Sequence, residues 1–248
     1  MKTRLAALIL SILTISPLRA SVFLDNAPIG TAGDLITYGD VAAIGGQSSL
    51  SVAITVHLSA TLEIGRFVNK WGSTTASQSF VFYATNTDEI EFVLNLDSVN
   101  AGVYYGCQTT DGPMSGGALL RVLAKATVGS GCDIYVNGTQ RSTSLIYNNA
   151  GTLVDTTTAV RVGNETADAA QGSYGEFVIW SEEVPDWVAE AYGKGYGANI
   201  YRTNGILYAP MIRTTMLRDV WGGVAGSASS VSGTQPGTHF PMMYPYGM

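Results

Sequence analysis

Residues 51–58, with the sequence SVAITVHL, carry the clearest structural signal in the chain. Smaller or polar side chains alternate here with four apolar ones, Val52, Ile54, Val56 and Leu58. This period-2 alternation predicts a β-strand with one buried face. Residues 89–96, EIEFVLNL, alternate in the same manner and predict a second strand of the same kind.

Turn signals separate further strand candidates at short intervals. Asn137-Gly138 follows Ile134 and Val136, and this dipeptide predicts a hairpin because both central residues of a type I′ turn need a positive φ. One short helix is expected between Pro185 and Gly193. The other strand candidates are 67–71, 80–84, 119–123, 159–162, 177–180 and 206–208. Together these elements predict an all-β antiparallel sandwich with one short helix.

The composition argues against several classes of protein. The chain has 248 residues, which is enough for one large all-β domain or two small ones. Charged residues make up only 13% of it, against a usual ~25%, so a Lys/Glu-rich helical bundle is not expected. With 13 Lys+Arg against 19 Asp+Glu, the net charge is -6. That is the wrong sign for binding phosphate backbones or anionic lipid, so we expect no nucleic-acid partner.

The first 20 residues have the layout of a secretory signal peptide. Lys2 and Arg4 precede an apolar or small stretch at 5–15. This stretch is about half of the ~20 residues that span a bilayer, so no transmembrane segment is expected. A buried N-terminal strand or helix is the alternative. We expect residues 21–221 to form the sandwich and residues 222–248, rich in Gly and Ser, to form a C-terminal extension.

The cysteine count also bears on the setting of the protein. Cys107 and Cys132 are the only cysteines in the sequence. An even count in a chain with an export-like N-terminus indicates one disulfide, and two buried free thiols are the alternative. The histidines, His57 and His239, have no ligand-like spacing, so we expect no zinc site.

Several strings occur in order along the chain and share a pattern. They are DLITYGD at 34–40, GRFVNKWG at 65–72, the hairpin segment 80–96, DIYVNG at 133–138, VRVGN at 160–164 and GSYGEFVIW at 172–180. Followed by the short helix, these strings resemble the laminin-G-like and concanavalin A-like superfamily of lectins and glucanases. The resemblance covers roughly residues 30–195. It implies that the antiparallel sandwich is a jelly roll.

The C-terminal region adds a looser likeness. Residues 205–211, 217–223, 239–241 and 244–245 resemble the ends of such domains in phage virion-associated proteins. This likeness implies a decoration, fibre or tail-associated adhesin on a virion surface, whereas the N-terminal segment implies secretion. We expect an extracellular location in either setting, and the choice between secreted and virion surface stays open.

No catalytic motif is complete in the sequence. Some concanavalin A-like enzymes are glycoside hydrolases with a Glu-x-Asp-x-x-Glu strand motif, and Glu89 and Glu91 match its first two acidic positions. Leu94 stands where the third carboxylate would lie, so the acid or the nucleophile of a two-carboxylate mechanism is missing. The chain also lacks a Gly-x-Ser-x-Gly elbow. We therefore expect that the protein is not an enzyme.

Recognition chemistry is the remaining expectation. Tyrosine and tryptophan rings can stack on sugar rings, and Asn and Asp side chains can hydrogen-bond to hydroxyls. Tyr104, Tyr105 and Asp111 lie in a stretch without regular alternation, and loops on a rigid sandwich often carry binding residues. We predict these three as ligand-binding residues. The aromatic residues expected to serve packing instead are Trp71, Trp180 and Trp187.

A calcium site is a further expectation from the carboxylates. Calcium takes oxygen ligands from turns, and four aspartates are candidates for such a site. They are Asp34, Asp40, Asp97 and Asp168. No contiguous Asp-rich loop marks the site, so calcium stays one option for a cofactor.

These observations predict a non-enzymatic surface-recognition domain whose partner is a cell-surface glycan. The alternative is a structural virion or assembly protein without a ligand of its own, whose partner is another virion protein or a second copy of the chain. A large apolar contact surface would favour this alternative. A glycanase is the third and weakest reading, because of Leu94.

The N-terminal signal leads to a first prediction. N-terminal sequencing of native material is expected to begin at or near Ser21, because a signal peptidase removes the preceding segment during export. Recovery of intact Met1 from assembled particles would contradict secretion and favour a virion protein with a structural N-terminus.

Overall fold

A computed structural model describes most of the chain. It covers residues 22–24, 35–58, 65–85, 87–114, 117–163, 172–210, 220–221 and 226–229. The proposed signal segment 1–20, the aspartates Asp34 and Asp168, and most of the proposed C-terminal extension lie outside the described residues.

The described residues form fifteen strands, one α-helix and three short 3-10 helices. The strands are β1 (Val22–Leu24), β2 (Leu35–Thr37), β3 (Ser49–Leu58), β4 (Gly65–Trp71), β5 (Gln78–Ala84), β6 (Ile90–Asn95), β7 (Tyr104–Thr109), β8 (Leu119–Thr127), β9 (Gly131–Val136), β10 (Thr139–Gln140), β11 (Thr143–Asn148), β12 (Arg161–Gly163), β13 (Gly172–Trp180), β14 (Gly205–Ala209) and β15 (Ser227–Ser229). The α-helix is α1 (Asp186–Gly193), and the 3-10 helices are Ala42–Ile44, Thr75–Ser77 and Ala198–Ile200.

The strands form two antiparallel sheets, as the alternating sequence pattern predicts. The seven-stranded sheet has the order β1-β13-β3-β8-β9-β10, and β14 pairs with β13. The eight-stranded sheet has the order β11-β7-β6-β5-β4-β12-β2-β15. Non-consecutive neighbours such as β13 and β3 show that the chain crosses repeatedly between the sheets. The predicted all-β antiparallel sandwich with one helix is confirmed.

The inner faces of the two sheets share one apolar core. Val52, Ile54 and Val56 of β3 are fully buried in it, together with Phe82 of β5 and Phe92 of β6. The rings of Phe82 and Phe92 pack edge to face with centroids 5.6 Å apart. Each fully buried side chain of this size contributes about 1.5–3 kcal/mol. The apolar positions of the alternating segments 51–58 and 89–96 are therefore the residues that face the core, one segment in each sheet.

A disulfide joins the two sheets through this core. Cys107 on β7 of the eight-stranded sheet bonds to Cys132 on β9 of the seven-stranded sheet, with Cα atoms 5.8 Å apart. Both cysteines are buried. The predicted pairing is confirmed, and the alternative of two free thiols is wrong.

The predicted hairpin is also confirmed. Asn137 and Gly138 have φ angles of 51° and 79°, as a type I′ turn requires, and they connect β9 to β10. A Cβ atom on Gly193 would lie 1.8 Å from the backbone nitrogen of Gly138. Helix α1 therefore ends in direct backbone contact with this turn, which only a glycine permits.

A second, smaller apolar layer covers the outer face of the seven-stranded sheet. Val188 and Tyr192 of α1 are buried there against Trp180 and Tyr208. The helix has the bounds that Pro185 and Gly193 predict, and Trp180 is the packing residue that we expected. Trp187, which was also expected to pack, contacts Tyr201 edge to face but is 51% exposed and is not buried in this layer. Within the described residues, no helix is long and apolar enough to cross a membrane.

Two expectations from the sequence differ from the structure. Residues 104–109 and 143–148 form strands β7 and β11, and the first of these segments was expected to be irregular. The described part of the proposed extension 222–248 includes β15, which pairs with β2 at the edge of the eight-stranded sheet. The boundary expected at residue 221 therefore omits at least one strand of the sandwich.

A buried carboxyl group lies beneath the helical layer. Glu176 accepts hydrogen bonds from the Ala198 backbone N–H at 3.2 Å and from the Tyr208 hydroxyl at 3.1 Å. Burial raises the pKa of Glu176 to about 7, although both hydrogen bonds and the charge of Arg121 oppose the rise. The carboxyl group is therefore harder to ionise in the folded protein than in the unfolded chain.

This raised pKa predicts how stability depends on pH. The contribution of Glu176 is fully present below the unfolded pKa, about 4.5, and it is lost as the pH rises through about 7. The loss amounts to roughly 3 kcal/mol. Urea unfolding of the native protein and of Glu176→Gln at pH 5 and pH 8 should show a smaller pH dependence in the variant. An equal dependence in both proteins would contradict the assignment.

Removal of the disulfide should lower the free energy of unfolding. The disulfide spans 25 residues, so the variant Cys107→Ala/Cys132→Ala should lose about 3–4 kcal/mol in the free energy of unfolding. Urea titrations of the two proteins measure this difference. Intact mass before and after reduction and alkylation is the control, and two free thiols in the unreduced protein would refute the bond.

Candidate functional site

The outer face of the eight-stranded sheet carries a cleft of about 270 Å³. This volume is near the lower end of small-molecule pockets, which hold about 300–1,000 Å³. Its lining comes from strands β4, β5, β6, β7 and β11, the five neighbouring strands at one side of the sheet. The lining residues are Arg66, Trp71, Val81, Tyr83, Val93, Tyr104 and Tyr147.

The floor of the cleft is apolar and is formed mainly by residues with small side chains. Val81, Val93 and Gly106 lie in register across β5, β6 and β7, and Tyr147 of β11 continues the row. Their neighbours along the strands, such as Phe82 and Phe92, point into the core. Because side chains alternate along a strand, the floor residues must point outward.

Gly106 has a specific role in this floor. A Cβ atom at this position would lie 2.3 Å from the backbone carbonyl oxygen of Phe92 on the adjacent strand. No side chain can be accommodated there without moving the backbone. Gly106 therefore allows β7 and β6 to approach closely and leaves the floor open beside Tyr147.

Three aromatic rings form one wall of the cleft. The ring of Tyr104 lies 5.8 Å from that of Trp71 with an interplanar angle of 44°. On its other side the Tyr104 ring meets Tyr147 edge to face, with centroids 5.3 Å apart. Tyr147 is 40% exposed, and Trp71 and Tyr104 are half-buried. The three rings support one another and leave apolar surface open to a ligand.

Polar side chains lie across the next row of the sheet. Arg66 of β4 is opposite Tyr83 of β5, and Tyr83 is opposite Glu91 of β6. The Tyr83 hydroxyl donates a hydrogen bond to Glu91, and Gln108 of β7 donates one to Glu89. Burial raises the pKa of Glu91. The cleft is therefore amphipathic, with aromatic rings on one side and hydrogen-bonding groups on the other.

The structure separates the three predicted ligand-binding residues. Tyr104 lies in the cleft, on the face of a strand and not in a loop. Tyr105 is only 1% exposed and belongs to the core, so its ring cannot stack on a ligand. Asp111 follows the far end of β7, roughly 20 Å from Tyr104 at ~3.3 Å per residue. Its carboxylate pairs with Arg141 at 2.7 Å.

Two of the proposed calcium ligands, Asp40 and Asp97, have other partners in the structure. Asp40 binds the buried Lys70 ammonium at 2.7 Å. Asp97 accepts the backbone N–H groups of Val99 and Asn100 in its own turn, and the Asn100 side chain is the main cause of its lowered pKa. The described residues contain no group of three His, Cys, Asp or Glu side chains that could hold a metal. The calcium prediction now depends on Asp34 and Asp168, which lie outside them.

Sequence reasoning missed most of the cleft. Trp71 was expected to be a packing residue, and Arg66, Tyr83 and Tyr147 were not singled out. A signal was available for Tyr83, since Phe80, Phe82 and Ala84 alternate with Val81 and Tyr83. For Tyr147 no such signal exists, because β11 is irregular at Leu145 and Tyr147, where its register to β7 shifts.

Solved structures of other proteins share the jelly-roll architecture. A proposed carbohydrate-binding protein from Bacteroides ovatus matches with a TM-score of 0.64 and 13% identity, covering 91% of this chain and 62% of that one. A heptameric SAP-like pentraxin from Limulus polyphemus matches at 0.53 and 12%, covering 88% and 95%. The CBM40 domain of a Ruminococcus gnavus IT-sialidase, bound to α2,3-sialyllactose, matches at 0.52 and 13%, covering 71% and 96%.

These comparisons support the fold named by the sequence resemblance. This chain spans only about 62% of the Bacteroides ovatus protein. No protein-family model matches the sequence. A search of curated proteins also finds no match. At 12–13% identity the structural likeness shows the jelly-roll fold alone.

The close approach at Gly106 predicts a selective loss of stability. Gly106→Ala should lose about 1–3 kcal/mol in the free energy of unfolding, because the added Cβ overpacks against a backbone oxygen. Gly131→Ala is the matched control, since a Cβ atom on that strand glycine meets nothing within 4 Å. Urea unfolding of both variants measures the difference. Equal stabilities would show that the cleft floor tolerates a side chain.

Proposed function

We propose that the protein is a non-enzymatic recognition domain that binds a glycan in the cleft on its eight-stranded sheet. The observation that carries the proposal is the wall formed by Trp71, Tyr104 and Tyr147 beside a row of hydrogen-bonding groups. The setting is extracellular, either secreted or on a virion surface. A disulfide of this kind persists in oxidising compartments, which supports that setting.

The chemistry of the cleft suits a sugar. A pyranose presents C–H groups on its faces and hydroxyl groups around its edge. Its face can stack on the exposed ring of Tyr147 and the half-buried ring of Tyr104, while hydroxyls can bind the guanidinium of Arg66 and the hydroxyl of Tyr83. The volume of about 270 Å³ suits one or two sugar rings rather than a long enclosed chain.

The same cleft lacks the layout of a glycosidase. A retaining enzyme needs two carboxyl groups about 5–5.5 Å apart on either side of the scissile bond. Here Glu89 and Glu91 are not among the residues that line the cleft, and each accepts a hydrogen bond from a neighbouring side chain, Gln108 and Tyr83 respectively. The aromatic wall carries no acid. Binding without cleavage is the function that this arrangement supports.

Two structural neighbours agree with this function. The Bacteroides ovatus protein is a proposed carbohydrate-binding protein, and the Ruminococcus gnavus CBM40 domain is bound to sialyllactose. We extend carbohydrate binding to this chain as part of the proposal.

An assembly role is the second candidate, and one observation favours it. Strand β11 forms the edge of the eight-stranded sheet, and its sequence TSLIYN has no charge and no proline. Leu145 and Tyr147 on this edge are 50% and 40% exposed. An exposed apolar edge of this kind can pair with another chain, such as a second copy or another virion protein.

Substitution of the aromatic wall tests glycan binding. Tyr104→Ala should weaken binding on a glycan array by about 1–3 kcal/mol, or roughly 5- to 150-fold, because the central ring of the wall is lost. Leu145→Ala is the matched control, because it removes an exposed apolar group of β11 that does not line the cleft. A melting curve for each variant separates lost binding from unfolding. Unchanged binding by a folded Tyr104→Ala protein would refute the cleft as the site.

A polysaccharide panel tests the absence of hydrolysis. The native protein should release no reducing ends, because the aromatic wall supplies no second carboxylate. Release that is lost in the variant Glu91→Gln would overturn the non-enzymatic function. Size-exclusion chromatography of the same protein tests the assembly role, for which an oligomer without any glycan-array signal is the expected result.

A further inference from the structure

A second exposed aromatic group lies on the opposite side of the sandwich. Trp187 is 51% exposed on α1, although its neighbours Val188 and Ala189 are buried. Single exposed apolar residues are common and indicate nothing by themselves. Whether Trp187 marks a binding site therefore depends on the residues around its indole.

The indole of Trp187 is held by Tyr201. The two rings pack edge to face with centroids 5.8 Å apart. Tyr201 is in turn fixed at both ends. Its backbone carbonyl accepts the indole N–H of the buried Trp180 at 3.0 Å, and its hydroxyl donates to Glu182 at 2.7 Å. The aromatic pair is thus rigid before any ligand arrives, which lowers the entropy cost of binding.

Oriented polar groups border this pair. Glu182 accepts hydrogen bonds from Tyr201 on one carboxylate oxygen and from the Asn204 amide on the other, each at 2.7 Å. The bond to Glu182 is the largest cause of the raised pKa of Tyr201, so its hydroxyl stays protonated. Each carboxylate oxygen retains a further lone pair that can accept a hydroxyl of a ligand.

We propose that Trp187, Tyr201, Glu182 and Asn204 form a second carbohydrate-binding site. The inference shares with the proposed function only the class of ligand, since no residue is common to the two sites. A protein partner fits this surface less well. The carboxylate of Glu182 adjoins the Tyr201 ring, and charged residues are depleted from the core of protein interfaces.

The positions of the two sites determine what they can do together. The cleft lies on the outer face of the eight-stranded sheet, and α1 covers the outer face of the seven-stranded sheet. Sheets in a sandwich pack about 10 Å apart, so the two sites are separated by the core and cannot hold the same sugar ring. One molecule would bind two glycan chains and link them, with a gain in avidity on a glycan-coated surface.

Isothermal titration calorimetry with lactose, cellotriose, maltotriose and N,N′-diacetylchitobiose tests this inference. Four proteins are compared: the native chain, Tyr104→Ala, Trp187→Ala and the double variant. We expect two binding sites in the native chain, one in each single variant and none in the double variant. Val99→Ala is the matched control, because Val99 is exposed and belongs to neither site. Trp187→Phe, which keeps an aromatic face, should retain the second site with about 10-fold weaker binding.

The two single variants distinguish the proposals. If Trp187→Ala binds as the native chain does while Tyr104→Ala does not bind, the second site is refuted and the cleft stands. If Trp187→Ala loses one site and Tyr104→Ala loses none, the second site stands and the cleft is refuted. Absence of binding by the native chain to all four sugars and to a glycan array would overturn both proposals.

Discussion

The direction of side chains along β7 is the constraint on which the cleft depends. Tyr105 and Cys107 point into the core, and the bond from Cys107 to Cys132 fixes that orientation across both sheets. Because alternate side chains point to opposite faces, Tyr104 and Gly106 must then face outward. A shift of one residue would bury Tyr104 and expose Tyr105, so the disulfide holds the register of the strand that carries the central ring of the aromatic wall.

The two outer faces of the sandwich differ in how far their aromatic side chains are covered. Helix α1 packs on the seven-stranded sheet, so Trp180 of β13 and Tyr208 of β14 are buried against Val188 and Tyr192 of the helix. The eight-stranded sheet has no α-helix of the described residues packed on it, so its outward aromatic residues stay partly exposed. Rings of the same kind thus stabilise the fold on one face and stay partly exposed in the cleft on the other.

Polar groups are also buried on the face that α1 covers. Glu176 lies beneath the helical layer with hydrogen bonds from Ala198 and Tyr208, and burial holds its pKa near 7. Lys125 of β8 extends its ammonium group to the start of α1. There it binds Asp186 at 2.6 Å and Glu183 at 3.1 Å. Asp186 is in the first turn of the helix, where a negative charge is favourable. These contacts fix α1 in place, and the helix in turn presents Trp187 to solvent.

The sequence by itself determined the elements whose signals are local. The alternation at 51–58, the Asn137-Gly138 turn and the limits of the helix at Pro185 and Gly193 are all present in the structure, because each depends only on nearby residues. The even number of cysteines indicated the disulfide. The missing third carboxylate at Leu94 argued against a hydrolase on the sequence alone.

Tertiary structure alone decided which residues form the cleft. Its lining comes from five strands that are distant in sequence, from Arg66 to Tyr147, and their meeting depends on strand order and register. Neither quantity has a local signature, so Tyr104 and Tyr105 looked equivalent in the sequence. Only the pairing of β7 with β6 and β11 places one ring in the cleft and the other in the core, because adjacent side chains of a strand face opposite sides of the sheet.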